Sequence, residues 1–197
     1  MSKKLLITGF DPFGGDTINP SWEAVRLLPD RIGEYDIFKL EIPTVFGLGV
    51  QKVYDTAAVI KPDVIICVGQ AGGRMSITPE VIGINLREAR IPDNAGNQPV
   101  NTPVVNDAPA AYFSTLPIRK MVQYINNEGI PASLSYTAGA FVCNDVLYTL
   151  LNHYAGTSTL VGFIHVPYLP EQAGDNFFSL PLEKICSALT AAIKALD

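Results

Sequence analysis

Short apolar runs rich in β-formers alternate along the chain with segments of helical periodicity. KKLLITGF at 3–10, YDIFKLEIP at 35–43, DVIICVG at 63–69, SLSYTA at 133–138 and TLVGFIHV at 159–166 read as strands. Helices are predicted at 20–28, 48–60, 118–127, 146–154 and 182–196, and the segment containing SITPEVIGIN occupies the helical slot after the third strand. The last helix carries the apolar stripe Leu182, Ile185, Cys186, Leu189, Ile193 and Leu196. Such alternation predicts an α/β fold, a single-domain layered α/β/α arrangement over 1–197 with a largely parallel, twisted central sheet. Ligands of such sheets gather beyond the carboxyl ends of the strands. The unusual loops lie there: GFDPFGG after the first strand, VGQAGGR after the third and HVPYLPEQ after the last.

Composition narrows the functional classes. With 197 residues, 48% hydrophobic and 17% charged, the chain can bury a substantial core. A net charge of −5 without a Lys/Arg block argues against nucleic acid or an anionic membrane as partner. The apolar part of MSKKLLITGF is too short for a signal peptide, and no run approaches membrane-spanning length. Three cysteines without CxxC spacing predict free thiols, a reducing cytoplasm and no thiolate metal cage. The glycine-rich loops lack GxGxxG and GxxxxGK[ST] spacing, so no nucleotide, metal or other cofactor is expected.

Candidate chemistry centres on Cys143 in GAFVCNDVLY, at the boundary between a turn and a helical run. Free N–H groups there carry partial positive charge and favour a thiolate, whereas Asp145 nearby opposes one. The alternative is a small residue filling space under the turn. Of two histidines, His153 falls in the last turn of the predicted helix and reads as a surface or cap residue. His165 ends a buried strand stopped by Pro167, as a catalytic base or a core imidazole bonded to a carbonyl. Cys67 and Cys186 read as buried hydrophobes. Phe10 and Phe13 flank Asp11-Pro12 and could wall a flat, uncharged ligand or anchor their loop. The Pro/Asn-rich stretch 89–111 is too long for an ordinary connection, and is expected to pack over a site, as a lid or a structural excursion, or against another subunit.

In order along the chain, GFDPFGG with Asn19-Pro20-Ser21, VGQAGGR, SITPE followed by INLREARIPDN, FVCN and HVPYLPEQ resemble the type I pyroglutamyl peptidases, the pyrrolidone carboxyl peptidases. The resemblance runs from Lys4 to the final helix. It implies a fold similar in topology to the nucleoside phosphorylases and a cysteine peptidase that removes N-terminal pyroglutamate from peptides through a thioester. It further implies Cys143 as nucleophile, His165 as base and Glu80 as third member, a choice the residues alone leave open among Glu80, Asp93, Glu41 and Asp63. Arg90 is similar to a family active-site arginine that helps hold substrate or oxyanion; an ion pair with Asp93 or Glu88 is the alternative. An apolar slot of Phe10, Phe13 and Phe141, with polar groups near Gln70 on the lactam edge, is expected to bind the ring. The resemblance suggests a homo-oligomer, specifically a homotetramer. Ala140 stands where the family usually has Thr, and Asp145 where many members have His or another residue, which bears on the rigidity of the nucleophile loop. The same fold could also serve a nucleoside-phosphorylase-like enzyme, or a non-catalytic peptide-binding or thiol redox-sensing protein.

Overall fold

A computed structural model describes residues 2–197; Met1, the start of MSKKLLITGF, lies outside the described residues. Four strands, β1 (Lys3–Phe10), β3 (Tyr35–Ile42), β4 (Val64–Gln70) and β8 (Leu160–Val166), pair in parallel as β3-β1-β4-β8. Two short antiparallel strands, β2 (Arg31–Ile32) and β5 (Thr78–Pro79), close the edges, giving β2-β3-β1-β4-β8-β5. The chain reverses its winding between β1 and β4, so their C-terminal loops part into a crevice.

Strand alternation splits the core into two layers. Leu5, Ile7, Val64, Ile66, Val68, Ile164 and Val166 meet α1 (Pro20–Leu27), α3 (Ile118–Asn127) and α6 (Leu182–Lys194). Leu6, Phe10, Ile65, Cys67, Val161 and Phe163 meet α2 (Leu48–Ile60) and α4 (Val142–His153). The parity that sends Val161 and Phe163 toward α4 sends His165 the same way. Helix α1 starts where Asn19 Oδ1 accepts from Ser21 N at 3.1 Å, with Pro20 in its first turn. It lies so close to β1 that a Cβ on Gly9 would come within 2.5 Å of Trp22 Cα.

The layered α/β fold stands, with three local corrections. The segment containing SITPEVIGIN is not helical but forms β5 and then β6 (Ile82–Ile84), which pairs with β7 (Ala111–Phe113). Pro79 and the alternating β-branched residues suit extended backbone, and pairing with β8 outweighs the helical slot. SLSYTA contributes only isolated bridges, Ile77 to Ala132 and Glu80 to Ser135. Helix α4 begins at Val142, four residues earlier than its apolar period indicates, because the polar pair Asn144-Asp145 is buried within it. A short helix, α5 (Pro170–Ala173), follows β8.

Candidate active site

The site lies beyond the C-terminal ends of β4 and β8. Strand β8 carries His165, 3% exposed, beside Gly69 of β4 on one side and Thr78 of β5 on the other. The antiparallel run of β5 continues into Glu80, whose N–H donates to Phe163 O at 2.9 Å, delivering a fully buried carboxylate next to the ring. Glu80 Oε1 lies 2.6 Å from His165 Nδ1. With Nδ1 so engaged, Nε2 is the ring nitrogen left for chemistry. Phe163 packs against the imidazole with centroids 4.7 Å apart.

Cys143 occupies the first turn of α4. Its sulfur sits over Gly69, where a built Cβ would lie 3.0 Å from Sγ and 2.7 Å from Phe163 Cζ. Glycine at the β4 position in register with His165 therefore leaves the space that the thiol fills. Two buried neighbours hold this turn. Asn144 Oδ1 accepts from Ile84 N at 2.9 Å while its Nδ2 donates to Ile84 O and Leu86 O. Asp145 accepts from Gly47 N at 3.0 Å and pairs with Arg87 at 2.6 Å. The carboxylate expected to oppose a thiolate is thus committed to Arg87. Ala140, lacking the family's hydroxyl, is held through its carbonyl, which accepts from Glu88 N at 2.9 Å.

Burial, with the Glu80 charge next, pushes the Cys143 thiol up to about 12. The surface Cys143 keeps opens onto the pocket, so the thiol gains little from bulk water. Burial likewise pushes His165 below its usual 6.5, outweighing the bond to Glu80. For Glu80, burial alone would raise the carboxyl; the hydrogen bond and charge of His165, with Ser135 and Arg74, reverse this and hold it below 4.5. These directions run against the expected resting thiolate: burial favours a neutral thiol and a neutral imidazole beside an ionised Glu80.

A cavity of about 480 Å³ opens over the sulfur, lined by residues including Phe13, Gln70, Arg90, Ile91, Phe141 and His165. Phe13 and Phe141 stand 6.1 Å apart, centroid to centroid, as a tilted aromatic pair on the cavity wall. Phe10 does not join them. It is 2% exposed and packs under Phe163 at 6.2 Å, because its position on β1 points into the core. The Gln70 side chain meets Asp16 and Gln172 at 3.1 and 3.0 Å, tying together the loops after β1, β4 and β8. Arg90 is exposed at the cavity wall, and neither expected partner takes it: Glu88 accepts from Asn101 N, and Asp93 from Phe46, Ala95 and Asn97. Asp93 organises its own loop, away from His165. From the stretch 89–111, Arg90 and Ile91 reach the cavity while Asn94 Nδ2 donates to Pro12 O at 2.8 Å, so it packs over the site. His153 ends α4 exposed, its ring tilted against Tyr54 with centroids 4.6 Å apart. A larger cleft of about 700 Å³ beside it, at the opposite end of the sheet, contains no cysteine. Arg74 escaped the sequence reading; it reaches Glu80 from the VGQAGGR loop.

A thiol, an imidazole oriented by a carboxylate and an adjoining apolar cavity, set at the carboxyl edge of a parallel sheet, define a thiol-dependent hydrolase of the acyl-transfer class. The family model for pyroglutamyl peptidase matches residues 3–197. A pyrrolidone-carboxylate peptidase of Enterococcus faecalis is 52% identical over 98% of this chain and 92% of its own length, and one from a Thermoanaerobacter species 48% identical over 98% and 97%. The crystal structure of the pyroglutamyl peptidase I from Bacillus amyloliquefaciens superposes with a TM-score of 0.96 at 50% identity, covering 100% of this chain and 95% of that one. A mutant pyrrolidone carboxyl peptidase from Pyrococcus furiosus gives 0.92 at 42% identity, covering 98% and 97%. The chain belongs to the pyroglutamyl peptidase family.

Proposed function

We propose that the chain hydrolyses the amide bond after an N-terminal pyroglutamyl residue of peptides, with Cys143, His165 and Glu80 as its catalytic residues. The observation that carries these roles is the bond from His165 Nδ1 to Glu80 at 2.6 Å, in register with the glycine under the Cys143 sulfur. As substrate settles, His165 Nε2 takes the thiol proton and Sγ attacks the carbonyl carbon. The oxyanion is met by N–H groups of the first turn of α4, ahead of its first i→i−4 bond, Asp145 N to Phe141 O, and by Arg90 at the wall. Collapse expels the amine, which receives the proton from His165. Water, deprotonated by the same ring, then attacks the thioester, and the proton returns to sulfur as pyroglutamate leaves.

Phe13, Phe141 and Ile91 offer apolar faces to the lactam, and the Gln70 loop lies along its polar edge. A free α-ammonium would lose its hydration in this slot at a cost of several kcal/mol, against roughly 1–3 kcal/mol for one missing hydrogen bond. Charge exclusion therefore dominates selection. Pyroglutamyl amides should be hydrolysed and Cys143→Ala should abolish turnover, while peptides beginning with free Gln, Glu or Pro should be cleaved far more slowly. Comparable kcat/KM for capped and free N-termini would overturn the pocket assignment. The free cysteines support placement in the cytoplasm, and exposed Val100 and Phe113 support a homo-oligomer, for which we favour a homotetramer.

A further inference from the structure

We propose that Arg74 is a positioning residue of the reaction, clamping Glu80 so that the carboxylate holds His165 in one tautomer without drawing a proton onto the resting ring. The inference rests on the peptidase reading above and adds to it a fourth member of the catalytic assembly.

The loop VGQAGGR delivers this side chain. Arg74 N donates to Ala71 O at 3.3 Å, Gly73 takes a φ of +86°, and a Cβ on Gly72 would collide with the Tyr168 ring. The two glycines thus let the chain fold back beneath Tyr168 and aim Arg74 at β5. Its guanidinium makes three bonds: Nη1 donates to Glu80 Oε1 and to Thr78 Oγ1, each at 2.6 Å, and Nη2 donates to Thr137 O at 2.8 Å. Thr78 lies opposite His165 across the strand pair, and Thr137 heads the turn leading to Cys143. One side chain therefore ties its own loop to two segments, the β5 run that carries Glu80 beside His165 and the turn that leads to Cys143.

The distribution of partners on Glu80 is uneven. Oε1 receives both Arg74 and His165, while Oε2 is buried without a donor of its own, because the neighbouring Ser135 hydroxyl donates to Thr137 O at 3.1 Å. If the carboxylate only had to satisfy its own lone pairs, spreading the donors over both oxygens would be preferable. Crowding both onto Oε1 makes Arg74 compete with the imidazole for the same atom. The guanidinium neutralises charge that would otherwise favour an imidazolium, and also stabilises sulfur as its proton leaves. Both effects act against the Glu80 charge, which raises His165 and Cys143 alike, although burial dominates the net shift of each. The other ionisable groups around the imidazole are Glu80 from β5 and Cys143 from α4, with Glu88, Arg90 and Tyr168 further out on the cavity wall. Among the described residues, Arg74 is the only cation bonded to Glu80.

The chain's two histidines make the test direct. Imidazole resonances are titrated by NMR in the full-length protein and in Arg74→Met, with exposed His153, distant from Arg74, as the internal reference. In Arg74→Met the His165 midpoint should rise, because the removed charge opposes protonation of the ring. The acid limb of kcat/KM should move up in parallel, and kcat should fall more than KM changes. A His165 midpoint identical to that of the unmutated protein overturns the clamp, whatever happens to activity. If Arg74→Met fails to fold, Arg74→Lys retains the charge but gives up the fork. A midpoint that rises with reduced kcat supports the clamp, and unmutated values of both overturn it. Because the titration needs no turnover, a shifted His165 in a chain unable to cleave pyroglutamyl amides would sink the peptidase reading while leaving the clamp standing.

Discussion

Replacing Gly69 by alanine tests whether the gap under the nucleophile matters. The new methyl would sit 2.7 and 2.9 Å from Phe163 Cζ and Cε1 and 3.0 Å from Cys143 Sγ. Carbon atoms reach favourable contact at about 3.5–4.0 Å, so these neighbours must retreat by roughly 0.5–1 Å. Neither has an easy route. Phe163 is fully buried between Phe10 and His165, and the sulfur rides on a helical turn pinned by Asn144 and Asp145. Overpacking of this kind costs about 1–3 kcal/mol of stability. A displacement approaching 1 Å at a reacting atom costs on the order of 10²-fold in rate. Gly69→Ala should therefore lower the urea midpoint by that free energy divided by m, with m unchanged, and cut kcat/KM on a pyroglutamyl amide by about two orders of magnitude. Substrate binding to the Phe13 and Phe141 walls should weaken much less, because those rings lie outside the collision. A variant with both the stability and the turnover of the unmutated protein would refute the placement of Sγ over β4.

The pH–rate profile follows from the same site. The reactive pair holds one proton, as thiol and neutral imidazole; activity is lost on the acid side when His165 gains a second, below its usual 6.5, and on the alkaline side only as Cys143, raised to about 12, surrenders its own. The kcat/KM profile should show an acid limb centred below 6.5 and a plateau extending past pH 9, and an alkaline decline centred near pH 8 would restore a preformed thiolate. Arg87→Met should destabilise the fold by on the order of 3 kcal/mol, since it leaves the Asp145 carboxylate buried with only the Gly47 N–H; chemical denaturation measures this, and a loss below 0.5 kcal/mol would show the pair to be dispensable.

The parallel strands and most helices were legible because their cause is local. The helices at 48–60 and 118–127 carry the predicted bounds, and the apolar runs at 3–10 and 159–166 place β1 and β8 to within a residue. Strand β5 was not legible. Two residues long, it exists only by pairing with β8, a long-range contact that no local period announces. Its concealment also explains why spacing alone could not select Glu80 among the carboxylates, and only the ordered motifs pointed to it. Arg74 left a faint signal in an arginine that follows a Gly-Gly turn six residues before Glu80, but a glycine-rich loop of this kind first suggests phosphate. Phe10 and the resting thiolate were misjudged for a common reason: burial is a property of the folded layers, and it turned one ring into core and raised the thiol instead of ionising it.

The residues that follow Cys143 directly have little latitude. Asn144 and Asp145 spend every polar atom of their side chains on the β6 strand, the Gly47 turn and Arg87, so sequence proximity to the nucleophile does not mean freedom to tune it. Attempts to redesign selectivity for other acyl caps would do better with Phe13, Arg90 and Ile91, which arrive from distant stretches of chain and line the cavity over the sulfur.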